Sequence, residues 1–300
     1  MAKPTSVTLS VDEATLAKMA DFYAENIEQT ENPNFAFFAR LDKVAISAYK
    51  KTKNGLHKVL FQGEGAAYES SIWGTPEEKE EQEAAPIKVL YPQIGSDEVG
   101  TGDFFGPITV AATYVSSKDI AYLKSLGVAD SKTLTDEKIR QIGPKLIKRL
   151  EYSQLCLPNE KYNELVVQGL NMNAIKAKMH NRCLLNLKAK HPTAVLYVDQ
   201  FAAPKTYYGY LKDEPEVARS IFFATKGESK FLSVACASVI ARYSFLRHMD
   251  ALGEKHGVDF PFGASSKVDE FAADFVKEHG EDALKDVAKT NFANMKKLPQ

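Results

Sequence analysis

Ile94-Gly95-Ser96-Asp97-Glu98-Val99-Gly100-Thr101-Gly102-Asp103-Phe104-Phe105-Gly106-Pro107 is the stretch on whose reading the rest of the chain depends. An apolar run, Val89-Leu90-Tyr91 with Ile94, lies ahead of it, and a second, Ile108 to Val115, lies behind. Two adjacent acids therefore stand where a buried strand ends, followed by a loop of glycines. Carboxylates at such a point need water, a cation or a cationic ligand, because an unpaired buried charge is very expensive. The glycines let backbone approach a ligand where a side chain would block it. Three readings compete. A dinucleotide fingerprint fits poorly: the spacing is G-x-G-x-x-x-G, and Pro107 with a β-branched run follows where that motif needs a helix. A tight hairpin with two solvated acids is the bland reading. The third is a metal site acting on a phosphodiester, since carboxylate oxygens hold hard divalent cations and two such ions can clamp an in-line displacement.

The string from Asp97 to Pro107 resembles the signature of the type 2 ribonucleases H, the bacterial ribonucleases HII and HIII. Two further segments carry the resemblance. Asp130-Ser131-Lys132-Thr133-Leu134 is similar to a family loop in which Lys132 would be a phosphate contact. Ser233-Val234-Ala235-Cys236-Ala237-Ser238-Val239-Ile240-Ala241-Arg242 is similar to a family helix rich in small residues.

Composition bounds the rest. A chain of 300 residues suggests about two domains, and 44% apolar residues suffice for real cores. The net charge of −1 carries no information about a polyanionic partner, so any basic surface is local. Cys156, Cys183 and Cys236 are unclustered, which points to a reducing compartment and away from a disulfide framework. No Cys or His pair has zinc spacing, and the six histidines read as surface or packing residues. No signal core or membrane-length run is evident, so the expectation is a cytoplasmic monomer with no membrane partner.

The first module, 1–74, reads as strand, helix, three strands, helix. Ser10 to Glu13 has capping-box spacing, and Leu16, Met19, Tyr23 and Ile27 recur at helical spacing. Asn54-Gly55 marks a hairpin. Lys43, Ala45, Ser47, Tyr49 and Lys51 share one strand face, opposite Val44, Ile46 and Ala48. With Arg40, Lys50, Lys53 and Lys58 nearby and Asp42 the one acid, that face suits a nucleic-acid backbone; a merely solvated face reads the same way. The order of elements resembles the TATA-binding-protein-like module that precedes ribonuclease HIII catalytic domains. Residues 75–86, with proline near each end and five Glu, read as an acidic linker.

In the second module, 87–300, Ala194 to Phe201 is a near-continuous apolar run ending at Asp199, as expected of a strand covered on both faces. Ligands of α/β sheets gather at such strand ends, so Asp97 and Asp199 can share one site; a lone turn or cap aspartate is the bland alternative. The resemblance makes Asp199 the third catalytic acid and implies a ribonuclease H-like α/β fold, a mixed sheet with flanking helices. It implies an endonuclease that cuts the RNA strand of RNA–DNA hybrids, leaving 5′-phosphate and 3′-hydroxyl ends. Asp97, Glu98 and Asp199 would hold Mg²⁺ or Mn²⁺, and main-chain groups of Gly100, Thr101 and Gly102 would meet the RNA 2′-hydroxyls. The chain departs from ribonuclease HII twice: the position expected for a fourth acid falls at Leu246, and no tyrosine follows Tyr243. Asp250, one turn beyond Leu246, is therefore the expected fourth carboxylate, with Glu228 its rival. A ribonuclease HII-type enzyme cutting at single ribonucleotides and a non-catalytic hybrid-binding protein stay open from sequence.

Overall fold

The computed structural model describes residues 6–30, 32–53, 55–74, 89–128 and 134–298, without the side chains of 51–53. The linker 75–86, the loop bearing Ser131 and Lys132, Asn54, and the side chains of Lys51 and Lys53 lie outside the described residues. The chain divides into two compact units, Met1–Ile87 and Lys88–Gln300.

The first unit runs β1 (Ser6–Val11), α1 (Glu13–Phe22), β2 (Phe35–Leu41), β3 (Val44–Lys53), β4 (Leu56–Gln62) and α2 (Ala66–Ser71). Its antiparallel sheet has the order β1-β4-β3-β2. Alternation sends Val44, Ile46 and Ala48 into one core with Leu16 and Met19 of α1 and Ala66 of α2. Both helices cover that face only. The helix cap is Asp12, whose carboxylate accepts from Thr15 N at 2.7 Å. Ser10 instead stays in β1, paired with Lys58, because cross-strand bonds to β4 extend to Val11. Ile27, expected on the buried helix face, lies 42% exposed, since α1 stops at Phe22.

The second unit contains β5 (Gln93–Val99), β6 (Ile108–Val115), α3 (Ile120–Ser125), α4 (Asp136–Arg149), β7 (Tyr152–Leu157), α5 (Asn159–Val167), α6 (Met172–Lys188), β8 (Val195–Asp199), α7 (Pro204–Tyr210), β9 (Ile221–Ala224), α8 (Leu232–His256) and α9 (Ser266–Val287). The mixed sheet has the order β7-β6-β5-β8-β9. β5, β6 and β7 pair antiparallel, while β8 and β9 add in parallel. One face packs on α6 through Ile94, Val110, Leu196, Cys183 and Leu184. The other packs on α8, with α4 outside it, through Ala111, Ala237, Ile240, Ile142 and Leu146.

The small-residue segment of α8 lies directly on the sheet. A Cβ at Gly95 would fall 2.4 Å from Val234 N, so glycine there permits the approach. Thr113 and Thr109 hydroxyls donate to Ser233 O and Ala241 O at 2.8 and 2.9 Å, tying helix backbone to β6. α8 thus runs alongside β5 toward the strand end that carries Asp97. No helix among the described residues is long and apolar enough to cross a membrane.

Candidate active site

The parallel pairing of β5 and β8 aligns Ser96 with Val198. One step on, Asp97 and Asp199 stand side by side at about the 4.8 Å strand spacing, and in-register residues of parallel strands point to the same face. Asp97 is buried, accepts from Glu98 N at 2.7 Å, and is hydrogen-bonded by the Ser238 side chain from α8. Asp199 Oδ1 accepts from Gly227 N at 2.7 Å. That amide belongs to a 3-10 turn, Gly227–Ser229, just past β9, in which Glu228, the next residue, is also buried. Burial, then the charges of Glu98 and Asp199, push the Asp97 carboxyl up to about 8. Burial and the two neighbouring acids thus both disfavour a bare charge at Asp97.

Glu98, the next residue along β5, turns to the other side of the sheet. Its Oε1 accepts from Lys176 Nζ at 2.9 Å and its Oε2 meets His180 Nε2 at 2.8 Å, both from α6. His180 Nδ1 lies 2.7 Å from Ser96 Oγ, which faces the same helix. Burial alone would raise the Glu98 carboxyl, but His180 and Lys176 together hold it below the usual range. Sequence reading gave neither residue a role. Their i, i+4 spacing, which puts a buried cation and a buried imidazole on one face of an apolar helix, was the available signal.

The glycine loop is held from behind. Gly100 has φ +94°, and a Cβ there would lie 2.1 Å from Pro107 O, so the turn itself requires glycine. Gly102 is exposed, with nothing within 4 Å of a would-be Cβ, so no contact within the chain demands it. Phe104 and Phe105 anchor in a cluster with Phe245, Val268 and Phe275. Lys289 is fully buried and donates from Nζ to Asp103 O at 2.7 Å and Gly106 O at 2.5 Å. The C-terminal region thus clamps the loop that follows the acids.

The structure places Asp250 apart from Asp97 and Asp199. It lies twelve residues beyond Ser238, about 18 Å along the α8 axis. Arg140 of α4 holds it with two bonds, Nη1 to Oδ2 at 2.5 Å and Nη2 to Oδ1 at 2.7 Å, which lower its carboxyl. It borders a separate cavity with Glu254, Asp259 and Phe262 that contains none of the clustered acids. Leu246 is buried in the core that α8 shares with α4. Glu228, the rival from sequence, is the acid that the fold brings to Asp199. The pairwise rule of one helical turn kept Asp250 near Leu246, but nothing in it specified which neighbour the helix face meets.

Asp97, Asp199 and Glu228, with Glu98 across the strand, supply the hard oxygen donors that Mg²⁺ and Mn²⁺ take. No three His, Cys, Asp or Glu side chains among the described residues enclose a point at ligand distance. The acids instead form a rim at the strand ends, which suits ions that keep several waters and share substrate phosphate oxygens. The burial of Asp97 beside Glu98 and Asp199, which disfavours its ionised form while no cation is bound, is the observation that favours a cation there.

The first unit carries a second feature. On the sheet face away from the helices, Phe35 stacks with Phe38 at 6.2 Å and meets Tyr49 edge-on at 5.0 Å. The Arg40 guanidinium lies 5.3 Å from the Phe38 ring, and Lys58 is exposed on β4.

Comparison with known proteins matches this architecture. A family model described as ribonuclease HII covers residues 94–295, and one described as a domain of unknown function (DUF3378) covers residues 6–86. Ribonuclease HIII of Bacillus licheniformis is 42% identical over 96% of each chain, and that of Bacillus cereus is 40% identical over 97% of each. The crystal structure of Bst-RNase HIII in complex with Mn²⁺ aligns with a TM-score of 0.68 at 36% identity, covering 97% of each chain. Similar in sequence over nearly its whole length, and in fold over the same span, the chain belongs to the ribonuclease HIII family.

Proposed function

We propose that this protein is an endonuclease that hydrolyses the RNA strand of RNA–DNA hybrids with Mg²⁺ or Mn²⁺, leaving 5′-phosphate and 3′-hydroxyl ends. The observation that carries the reading is the alignment of Asp97 and Asp199 at the ends of two parallel central strands, with the turn that bears Glu228 bonded to Asp199 through Gly227 N. A divalent cation bound there supplies charge stabilisation for the attacking and leaving oxygens of an in-line displacement. The chain's own residues do the rest. Asp97, Glu98 and Asp199 would hold the cation, with Glu228 in place of Asp250 as the fourth carboxylate. Ser238 and the Gly227 amide orient Asp97 and Asp199, and Lys176 with His180 orients Glu98. Main-chain groups of Gly100, Thr101 and Gly102 meet the 2′-hydroxyls, the group that separates RNA from DNA. The glycine loop can do so because its far side is clamped by Lys289. The 1–74 module binds the hybrid through its aromatic and basic face, and Lys132 contacts a phosphate.

The test is cleavage of a uniform hybrid and of a duplex with one embedded ribonucleotide, with and without Mg²⁺. Metal-dependent cleavage of the hybrid, and much slower cleavage at the single ribonucleotide, are expected. The chain has no tyrosine after Tyr243, which motivates the second expectation. Equal rates would move the assignment to the ribonuclease HII type.

A further inference from the structure

Lys226 stands in the left-handed region, with φ 54° and ψ 44°. A non-glycine residue there is strained, and a lysine side chain gains nothing locally that Gly or Asn would not supply more cheaply. The turn needs the conformation. β9 ends at Ala224, Gln200 N bonds Ala224 O at 3.0 Å, and the chain must reverse within two residues for Gly227 N to reach Asp199. The backbone at 226 is therefore set by the acid cluster. The side chain is not: glycine occurs at the next position, and lysine occupies the strained one.

Where that side chain goes narrows its use. Lys226 is exposed, and its ammonium enters no ion pair among the described residues. Glu98 is already matched by Lys176 and His180. The charges that act on Asp97 are those of Glu98 and Asp199. A cation mounted two residues from Glu228, yet not spent on the acids, suits an anion that arrives with the substrate. Polynucleotide phosphate is that anion, and it approaches a rim of carboxylates that repels it.

We propose that Lys226 is a phosphate-contacting residue of the cleavage site, its strained turn aiming the ammonium at the RNA backbone beside the bond that is cut. The proposal rests on the carboxylate-site reading above. Strain kept at a functional turn is the pattern expected when the side chain is used.

The experiment compares Lys226→Gly, Lys226→Asn and Lys226→Arg, each alone and combined with Asp97→Asn. Hybrid binding is measured against salt in the Asp97→Asn background, and melting is followed with Mn²⁺ alone in the single variants. Gly and Asn, which relieve the turn, are expected to leave Tm unchanged or raised while weakening hybrid binding severalfold. They should flatten the slope of log affinity against log salt by about 0.7–0.9, the value of one phosphate contact. Arg should restore affinity and slope, and the Mn²⁺ concentration at half-maximal stabilisation should stay at the wild-type value. Unchanged affinity and slope in the Gly and Asn variants would overturn the proposal. So would a shifted Mn²⁺ midpoint with an unchanged slope, which would make Lys226 a counter-charge to the acids. A lower Tm in both variants would overturn the premise of strain. If Asp97→Asn alone still cut the hybrid, the carboxylate-site reading itself would fall, taking the placement of Lys226 with it.

Discussion

At the residue scale, Asp97 sets function against stability. Its folded value of about 8 lies above the ordinary 3.8. The folded chain therefore binds this proton more tightly than the unfolded chain. The resulting stabilisation is full below about pH 4 and is lost as pH rises through about 8. Asp97→Asn is expected to abolish cleavage, leave hybrid binding intact, and raise the metal-free Tm near pH 8, by roughly 2–4 °C for each kcal/mol relieved. Melting curves across pH with and without Mn²⁺ check this: the variant should lose both the pH slope and most of the Mn²⁺ response. A second comparison concerns the fourth acid. Glu228→Gln is expected to lower activity and raise the Mg²⁺ needed for half-maximal rate. Asp250→Asn should cost only the Arg140 pair, whose side chains are 42% and 46% exposed, or about 0.2–1 kcal/mol. Rate against Mg²⁺ for both variants is the measurement, and a larger effect in Asp250→Asn would reverse the assignment.

At the scale of elements, the glycine loop and the segment after α9 behave as one unit. Phe104 N bonds Gly263 O at 2.8 Å, Gly106 N bonds Val287 O at 2.9 Å, and Lys289 N bonds Phe104 O at 2.9 Å. Burial lowers the Lys289 ammonium to about 7. The folded chain thus binds fewer protons than the unfolded chain between about 7 and 10.5, so this group's contribution to stability increases over that window. The sign is opposite to that of Asp97. Lys289→Met keeps the stem but deprives two buried carbonyls of their donor, at about 1–3 kcal/mol each. Faster amide exchange at Phe104 and Gly106, loss of the alkaline gain in stability, and a raised KM for hybrid are expected. Unchanged exchange at both amides would show that the aromatic anchors alone hold the loop.

At the scale of the whole molecule, the two units have separate cores, one around Met19, Ile46 and Phe61, the others around the five-stranded sheet. The acids proposed for catalysis, Asp97, Glu98, Asp199 and Glu228, all belong to the second. Removing residues 1–74 is therefore expected to weaken hybrid binding more than it slows turnover of bound substrate. If roughly four phosphate contacts are lost, the salt slope of log affinity should flatten by about three units. Binding isotherms of the truncated chain at several salt concentrations test it, and an unchanged slope would assign the module another task.

The sequence by itself determined the family and set the expectation of two modules and three acids. Their signals are local: a strand end, a glycine string and a period-2 alternation are written in neighbouring residues. The fourth acid was different. Asp250 and Glu228 are 22 positions apart, and sequence spacing ranked them by distance from Leu246 along one helix. Only the tertiary structure sets them apart, because the parallel register of β8 with β9 carries the Glu228 turn to Asp199, while α4 supplies Arg140 to Asp250. The same holds for Lys176 and His180, which became partners of Glu98 only when α6 packed on the sheet. It holds for Lys289, 183 residues from the carbonyl of Gly106 that it caps. Pairings of that separation leave no local periodicity, since burial and hydrogen-bond satisfaction are settled by whichever elements the finished fold places in contact.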